Sequence, residues 1–539
     1  MKTFFKLFSI IIVSIFIIKC SSNNNEEDSV QNPANLDNGN VVGTPPAPIC
    51  ASAPSMDMIG AVNFGDGTAA SCTQAALQAL LTAGGKIIFN GGTEPLTITL
   101  TSTLNVPSRK EVIIDGKGLL TISGNNLVRI FNKDAPANQN EGTLFGVQNM
   151  KLINGKAGDK FGGAAILGNF FGSLKVINVT FDNNQSQLSD PDACGAVHTG
   201  GYKEVLFSNC IFSNNKGANG GAVGTIGSSS EFINCKFENN KATGTGGTGT
   251  SPSGKGGIGG AVYNDGVDQN GVNNYIKMCG CTFINNSSGH EAGAVSVIFY
   301  AGKGSVMAMD KCFFEGNSCS PDKGGAFYFM NGSLTLTNST FADNNCSASG
   351  GAIWANNYIA NIYNCTFKGN NALSGDNGLG GALTLDGSGA NKAAEVSYCT
   401  FAENGARLFA SAIMNTGNLN LLNSLFYKNK VGLGNQNNAD GGAVINKNSN
   451  LTANQGNLQF PKEFTSQYGT ATDYWITSSV LTSDALLQPL SNNQGPTKTM
   501  ALETGSPAVG KATKITSITT DQRGKPRKAM PDIGAFETQ

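Results

Sequence analysis

Charge is scarce in this chain. Of its 539 residues only 14% are Asp, Glu, Lys or Arg, and the formal net charge is −1. Globular proteins carry about 25% charged residues. A near-neutral chain has no field that gathers polyanions, so no nucleic-acid partner is expected. Histidine is scarcer still. His198 and His290 are the only two and stand far apart in sequence, which excludes a His-rich metal centre. Both read as solvent-facing, and neither a metal-ligand set nor a cofactor is assigned. Past the N-terminus there is no apolar stretch long enough to span a bilayer. Nor does a ten-residue stripe at helical spacing recur, which excludes helical repeat folds. What abounds is glycine, 70 residues, with much Asn and Thr. That mixture suits many short strands joined by tight turns.

The first residues read as a targeting signal. Lys2 and Lys6 precede the mostly apolar run Leu7 to Ile18, which ends at Lys19-Cys20 and Ser21-Ser22. This is similar to a bacterial lipoprotein signal, in which the cysteine becomes the lipidated first residue, although Lys19 stands where that pattern has a small residue. Ordinary secretion with cleavage nearby is the alternative. Lipidation at Cys20 would anchor the chain to a membrane through lipid alone. Ser21 to Pro48 is polar, Asn-rich and broken by Pro, too poor in apolar residues to fold. Fully extended, this tether would reach about 90 Å at roughly 3.3 Å per residue. The expected division is 1–19 signal peptide, 20–50 disordered tether, 51–450 solenoid with repeats over about 160–445, and 451–539 final rungs and cap.

The chain repeats two phrases. F-x-x-N occurs at Phe181/Asn184, Phe212/Asn215, Phe237/Asn240, Phe283/Asn286, Phe314/Asn317, Phe341/Asn344, Phe367/Asn370, Phe401/Asn404 and Phe426/Asn429. Interleaved with it runs G-G-A-aliphatic, or a close variant, beginning at Cys194, Gly220, Gly259, Ala292, Gly324, Gly350, Gly380, Ala410 and Gly441. A near-fixed period of this size marks a solenoid. Short alternating runs such as Leu334 to Thr337 and Asn361 to Asn364 read as strands. Two or three strands per period make one turn of a parallel β-helix, with rungs about 4.8 Å apart. An inward Phe on every turn builds an aromatic column. The Asn three places on is expected to take a positive-φ turn and to bond to the rungs above and below. Two residues before each Phe stands Val179, Cys210, Cys235, Cys281, Cys312, Ser339, Cys365, Cys399 or Ser424. These are small core fillers. Cys319 and Cys346, each five residues after its Phe, fall about one rung apart and are a candidate disulfide. Cys50 and Cys72 are a second candidate pair. Thr73 to Leu81 has helical spacing and is expected to cap the first rung.

Together the two phrases, from Gly162 to about Val444, resemble the repeats of chlamydial polymorphic outer membrane proteins. That resemblance implies a solenoid at a cell surface; the family's autotransporter barrel has no counterpart here. Asn492 to Ala512 (NNQGPTKTMALETGSPAVGKA) and Asp521 to Glu537 (DQRGKPRKAMPDIGAFE) resemble the closing segment of bacterial choice-of-anchor Q domain proteins. Membership would imply an exported, right-handed parallel β-helix. Gly84 to Gly124 resembles the first turns of pectin-lyase-like β-helices. The fold expected is therefore all-β, a single-stranded right-handed parallel β-helix with a short N-terminal cap helix and a C-terminal cap.

Motifs for chemistry are thin. Gly249 to Lys255 has the spacing of a phosphate-binding loop, but Gly256 stands where Ser or Thr would hold magnesium. It sits in a low-complexity insert that reads as a loop. The N-T-D, D-D, G-H-G and R-I-K phrases of polygalacturonase-type hydrolases are absent; Gly289-His290-Glu291 is the nearest fragment. Five arginines occur, and Arg523 and Arg527 read as salt-bridge partners of Asp521 or Asp532. Calcium in the turn Asp265 to Asp268 lacks EF-hand spacing. Spacing alone does not place Glu291, Glu315 or Asp322 on one face. No catalytic residue is assigned. The expected role is a monomeric, non-catalytic protein of the cell envelope, binding a surface glycan or a host or matrix protein. The alternative is a polysaccharide lyase or glycoside hydrolase.

Overall fold

The computed structural model describes residues 49–539 apart from 135–142, 170–171, 189–192, 202–203, 245–255, 267–274, 301–303, 374–377, 388–392, 409, 432–443, 446–449, 463, 467–468, 472–475 and 477–479. Cys20, the tether to Pro48, the phosphate-loop-like insert, Asp268 and the last glycine-rich phrase lie outside these residues.

One coil illustrates the rest. Val223–Ile226, Ser229–Ile233, Lys236–Glu238 and the two-residue strand Lys241–Ala242 follow one another with short bends between. The next coil lays Val262–Asp265, Tyr275–Cys279, Thr282–Ile284 and Ser287–Ser288 in parallel on top of them. Most of the repeat coils thus carry three strands and a fourth, minimal one, and in others two of the three run together, as in Phe327–Thr337. The minimal strands stack into a ten-stranded parallel ladder from Lys156–Ala157 to Lys430–Val431. The result is a parallel β-helix, wound in the right-handed sense that parallel crossovers adopt.

Stacking decides the sequence. The nine repeat phenylalanines are fully buried. From Phe181 to Phe426 their rings lie 4.5 to 5.3 Å apart and within 12° of parallel. That distance is the rung spacing. The small residues two places earlier fill the same core, and thiols such as Cys210 and Cys281 donate to carbonyls of the preceding coil (Val176 and Phe232).

The repeat asparagines depart from the turn conformation expected of them. Asn184, Asn215, Asn240, Asn286, Asn317, Asn344, Asn370, Asn404 and Asn429 are all buried, and none of them has positive φ. The left-handed residue is the one before each, at Asn183, Asn214, Asn239, Asn285, Gly316, Asp343, Gly369, Glu403 and Lys428. A second positive-φ column lies three residues before each Phe, including Asn178, Asn209, Asn234, Asn338, Asn364 and Asn423. Two left-handed residues per coil bend the chain on either side of the Phe, which leaves the repeat Asn with its amide pointing inward. The expected bonding between rungs does form. Each side-chain Nδ2 donates to the Oδ1 of the next coil's Asn, from Asn184 through Asn215, Asn240, Asn286, Asn317, Asn344, Asn370 and Asn404 to Asn429.

The ends close differently from one another. Thr73 accepts from the Ala76 N–H and starts the helix Gln74–Ala83, whose Leu77 and Leu81 are buried against the first strands. Ahead of this cap, the segment from Ile49 runs along the flank as a strap. The N–H groups of Ile49 and Cys50 donate to Asn234 Oδ1, Ala53 N–H to Ser208 Oγ, and Met56 N–H to Gln148 Oε1. This strap decides the disulfide: Cys50 is bonded to Cys279, not to Cys72, its candidate partner from the sequence. Cys72 is a buried free thiol that donates to Phe64 O. Cys319 and Cys346 do come into direct register, yet both thiols are free and pack with Ala372 as small apolar groups.

The C-terminal segment doubles back along the same flank. Asn364 Nδ2 donates to Thr520 O, Thr340 Oγ1 to Lys498 O, and Gly534 N–H to Asn423 O. Its apolar side, Met500, Leu502, Ala508 and Ile533, covers Ala402, Leu425, Tyr427 and Leu458. Arg523 pairs with Asp521 as expected; Arg527 pairs with Glu537 rather than the Asp532 carboxylate. The left-handed asparagine column is thus strapped by the N-terminal segment over its first coils and by the C-terminal segment over its last.

Candidate functional site

The glycine-rich phrase builds an edge on the solenoid. From Gly220 to Ala410 its first residue has positive φ, 69° at Gly259, 57° at Ala292 and 73° at Gly324. Its second is glycine in every described phrase but that of Ser411, and a Cβ at those glycines would overlap the next coil, at Gly293 the carbonyl oxygen of Gly325. The backbone is locked coil to coil: Gly259 N–H donates to Glu291 O and Ala292 N–H to Lys323 O. Residues just before the phrase are therefore held in fixed columns.

Two consecutive coils place charged residues in these columns. His290-Glu291 precede one phrase and Asp322-Lys323 the next. His290 Nε2 lies 3.6 Å from Asp322 Oδ2, and Lys323 Nζ lies 4.0 Å from the other oxygen, Oδ1. One ligand-type atom each from His290, Glu291 and Asp322 fall within 4.8 Å of one another. Burial pushes the Glu291 carboxyl up to about 7, the negative charge of Asp322 adds to this, and Lys323 opposes it. Lys323 also sits over the Trp354 ring at 4.7 Å, and Trp354 stacks on Tyr328 at 4.6 Å. Tyr328 and Trp354 are register partners whose neighbours Phe327 and Ile353 face the core. Burial pushes the Tyr328 phenol up, so it stays protonated.

A second feature lies near the N-terminal end. A cavity of about 430 Å³ is lined by Asp115, Lys117, Asn149, Lys151, Asn178 and Thr180, among others. Asp115 is already engaged, accepting from Gln148 Nε2, Asn149 Nδ2 and the Lys117 N–H. Lys117 and Lys151 form no ion pair with a described residue. The cavity thus offers two ammonium groups and a hydroxyl, while its carboxylate and the amides of Asn149 and Asn178 are turned to internal bonds.

The residues singled out from sequence divide accordingly. The Phe and Asn columns are structural. His290 is half-buried beside Asp322, and His198 is buried next to the Phe161 ring, so neither simply faces solvent. Glu291 and Asp322 meet; Glu315 does not join them and pairs with Lys498 instead. Asp265, half of the candidate calcium turn, accepts from the Tyr263 hydroxyl. What spacing missed was that His290 and Asp322 occupy the same place relative to consecutive phrases. Aligning on the glycines, not the phenylalanines, brings them together.

Among the described residues no helix is long and apolar enough to cross a membrane. No protein-family description matches the chain, and no curated protein does. Among solved structures it is similar to a pectate lyase, Pel9A, at 15% identity and a TM-score of 0.37, over 86% of this chain and 91% of that one.

Proposed function

We propose that this chain is an exported protein, lipid-anchored at Cys20, that binds a glycan or protein partner at the cell envelope without turning it over. It acts as a monomer and belongs with the choice-of-anchor Q proteins. The observation that carries the binding role is the cavity at Lys117 and Lys151. Its volume suits a sugar unit or two, and its groups suit hydroxyls and an anionic substituent. No pair of groups there is arranged as acid and base. The lipoprotein role rests on the N-terminal sequence, and membership on the closing segment.

A second reading, a glycoside hydrolase or lyase, is favoured by one observation. Glu291, raised to about 7 by burial, stands beside Asp322, and a carboxyl raised in this way next to a second one is a pairing that glycoside hydrolysis uses. A panel of neutral and acidic polysaccharides tests both readings at once. Binding is expected to be lost when Lys117 and Lys151 are both changed to Ala, with no new reducing or unsaturated ends formed. Chain cleavage that disappears in Glu291→Gln would overturn the binding reading in favour of the hydrolase.

A further inference from the structure

We propose that His290, Glu291 and Asp322 form a binding site for one divalent transition-metal cation of the zinc type. The argument begins with a gap. His290 Nε2 and Asp322 Oδ2 are 3.6 Å apart, too far for a hydrogen bond. Two ligands held about 2.0–2.1 Å from a tetrahedral zinc stand about 3.3–3.4 Å from one another. The Glu291 atom belongs to the same cluster, all within 4.8 Å.

The groups around the gap also lack other employment. His290 Nε2, the ring nitrogen that faces Asp322, forms no hydrogen bond with a described residue. The half-buried Glu291 carboxylate forms no hydrogen bond or ion pair with them either. The donor atoms of His290 and Glu291 are therefore available to one common cation. Asp322 divides its oxygens, Oδ1 towards Lys323 and Oδ2 towards His290. The cation site therefore does not compete with the lysine for the same atom.

The scaffold holds this arrangement before any ion arrives. His290 N–H donates to Gly257 O, and the backbone bonds at Glu291 and Lys323 tie three coils together. Ligand chemistry selects the ion: an imidazole with two carboxylates suits zinc or manganese, whereas calcium prefers all-oxygen sets. Three protein ligands leave a coordination position open to water or to a donor atom of a bound partner.

The test uses the folded, full-length purified chain without an oligohistidine tag, in which the free thiols of the described residues stay buried, titrated calorimetrically with Zn²⁺ and with Ca²⁺. One equivalent of Zn²⁺ is expected to bind in preference to Ca²⁺. Affinity should fall at least about tenfold in each of His290→Gln, Glu291→Gln and Asp322→Asn. Co²⁺ is expected to give a visible d–d spectrum that is lost in His290→Gln. Circular dichroism of each variant separates lost ligation from lost folding, and a variant that misfolds is replaced by its Ala counterpart. No stoichiometric Zn²⁺ binding, a Ca²⁺ preference, or unchanged affinity in folded variants overturns the site. Glycan binding at Lys117 and Lys151 is measured separately, so either idea can fail without the other.

Discussion

Asn286 and Asn317 share one oxygen: both the backbone N–H and the side-chain Nδ2 of Asn286 donate to Asn317 Oδ1, each at 3.0 Å. The same bond repeats from Asn184 to Asn429, and each Nδ2 also reaches a main-chain carbonyl, for Asn317 that of Phe283. The ladder therefore satisfies the backbone where the chain bends inside the core.

Replacing Asn317 by Leu leaves the Asn286 backbone N–H without its acceptor, removes one of the two acceptors of Asn286 Nδ2, and takes a donor from the Phe283 carbonyl. Each buried unsatisfied group costs about 1–3 kcal/mol, so a loss of several kcal/mol is expected. Phe314→Ala, which opens the ring column, should cost about 3–5 kcal/mol. Denaturant unfolding with hydrogen exchange measures both, with the loss of protection centred on neighbouring coils. A loss of stability under about 0.5 kcal/mol in either variant would show that stacking does not organise the core.

Peptide mapping under non-reducing conditions should find the Cys50–Cys279 cross-link, while Cys72 is alkylated only after denaturation. Changing Cys50 and Cys279 together to Ser should lower stability by about 2–4 kcal/mol. A Cys50–Cys72 peptide would contradict the strap.

Lys133 supplies a pH dependence. It is buried, donates to the carbonyls of Pro107 and Lys110 and to Thr143 Oγ1, and burial lowers its pKa from 10.5 to about 8. Between those values the unfolded chain holds more of this proton than the folded chain does. Stability from this group therefore rises with pH across about 8 to 10.5, by on the order of 1–3 kcal/mol. Lys133→Met should flatten that slope in urea midpoints; an unchanged slope would place the group's charge in solvent.

The C-terminal flank contains a buried pair, Arg527 with Glu537, where burial pushes the acid up and the guanidinium down while their attraction opposes both. Arg527 also bonds to Asn364 and lies over the Tyr398 ring. Arg527→Met alone strands a buried carboxylate and should cost about 3–5 kcal/mol. Adding Glu537→Gln should recover part of that loss. Thermal unfolding of the two variants compares them, and equal stability would mean the carboxylate is not stranded.

The coil order was legible because like residues stack on like, so Phe212 over Phe181 is visible as a repeat. The Asn ladder was legible in position but not in conformation. Asn in a turn usually means positive φ, and here Asn183 and Asn214 take that role while Asn184 and Asn215 turn inward. The straps were hidden. Cys50 meets a partner 229 residues away, and nothing local in the Ile49 to Met56 stretch records which coil it crosses. The His290–Asp322 meeting was half legible. The glycine phrases carry the register, but Asn-rich and Phe-rich columns dominate the eye.

The Cys50 attachment has a mechanical outcome. Whatever load reaches the molecule through residue 49 enters at its waist, through a covalent link to the coil of Cys279, instead of at the first strand. The chain between Cys50 and Cys279 is closed into one covalent loop, so a pull on residue 49 does not draw the first strand out ahead of the coils above it.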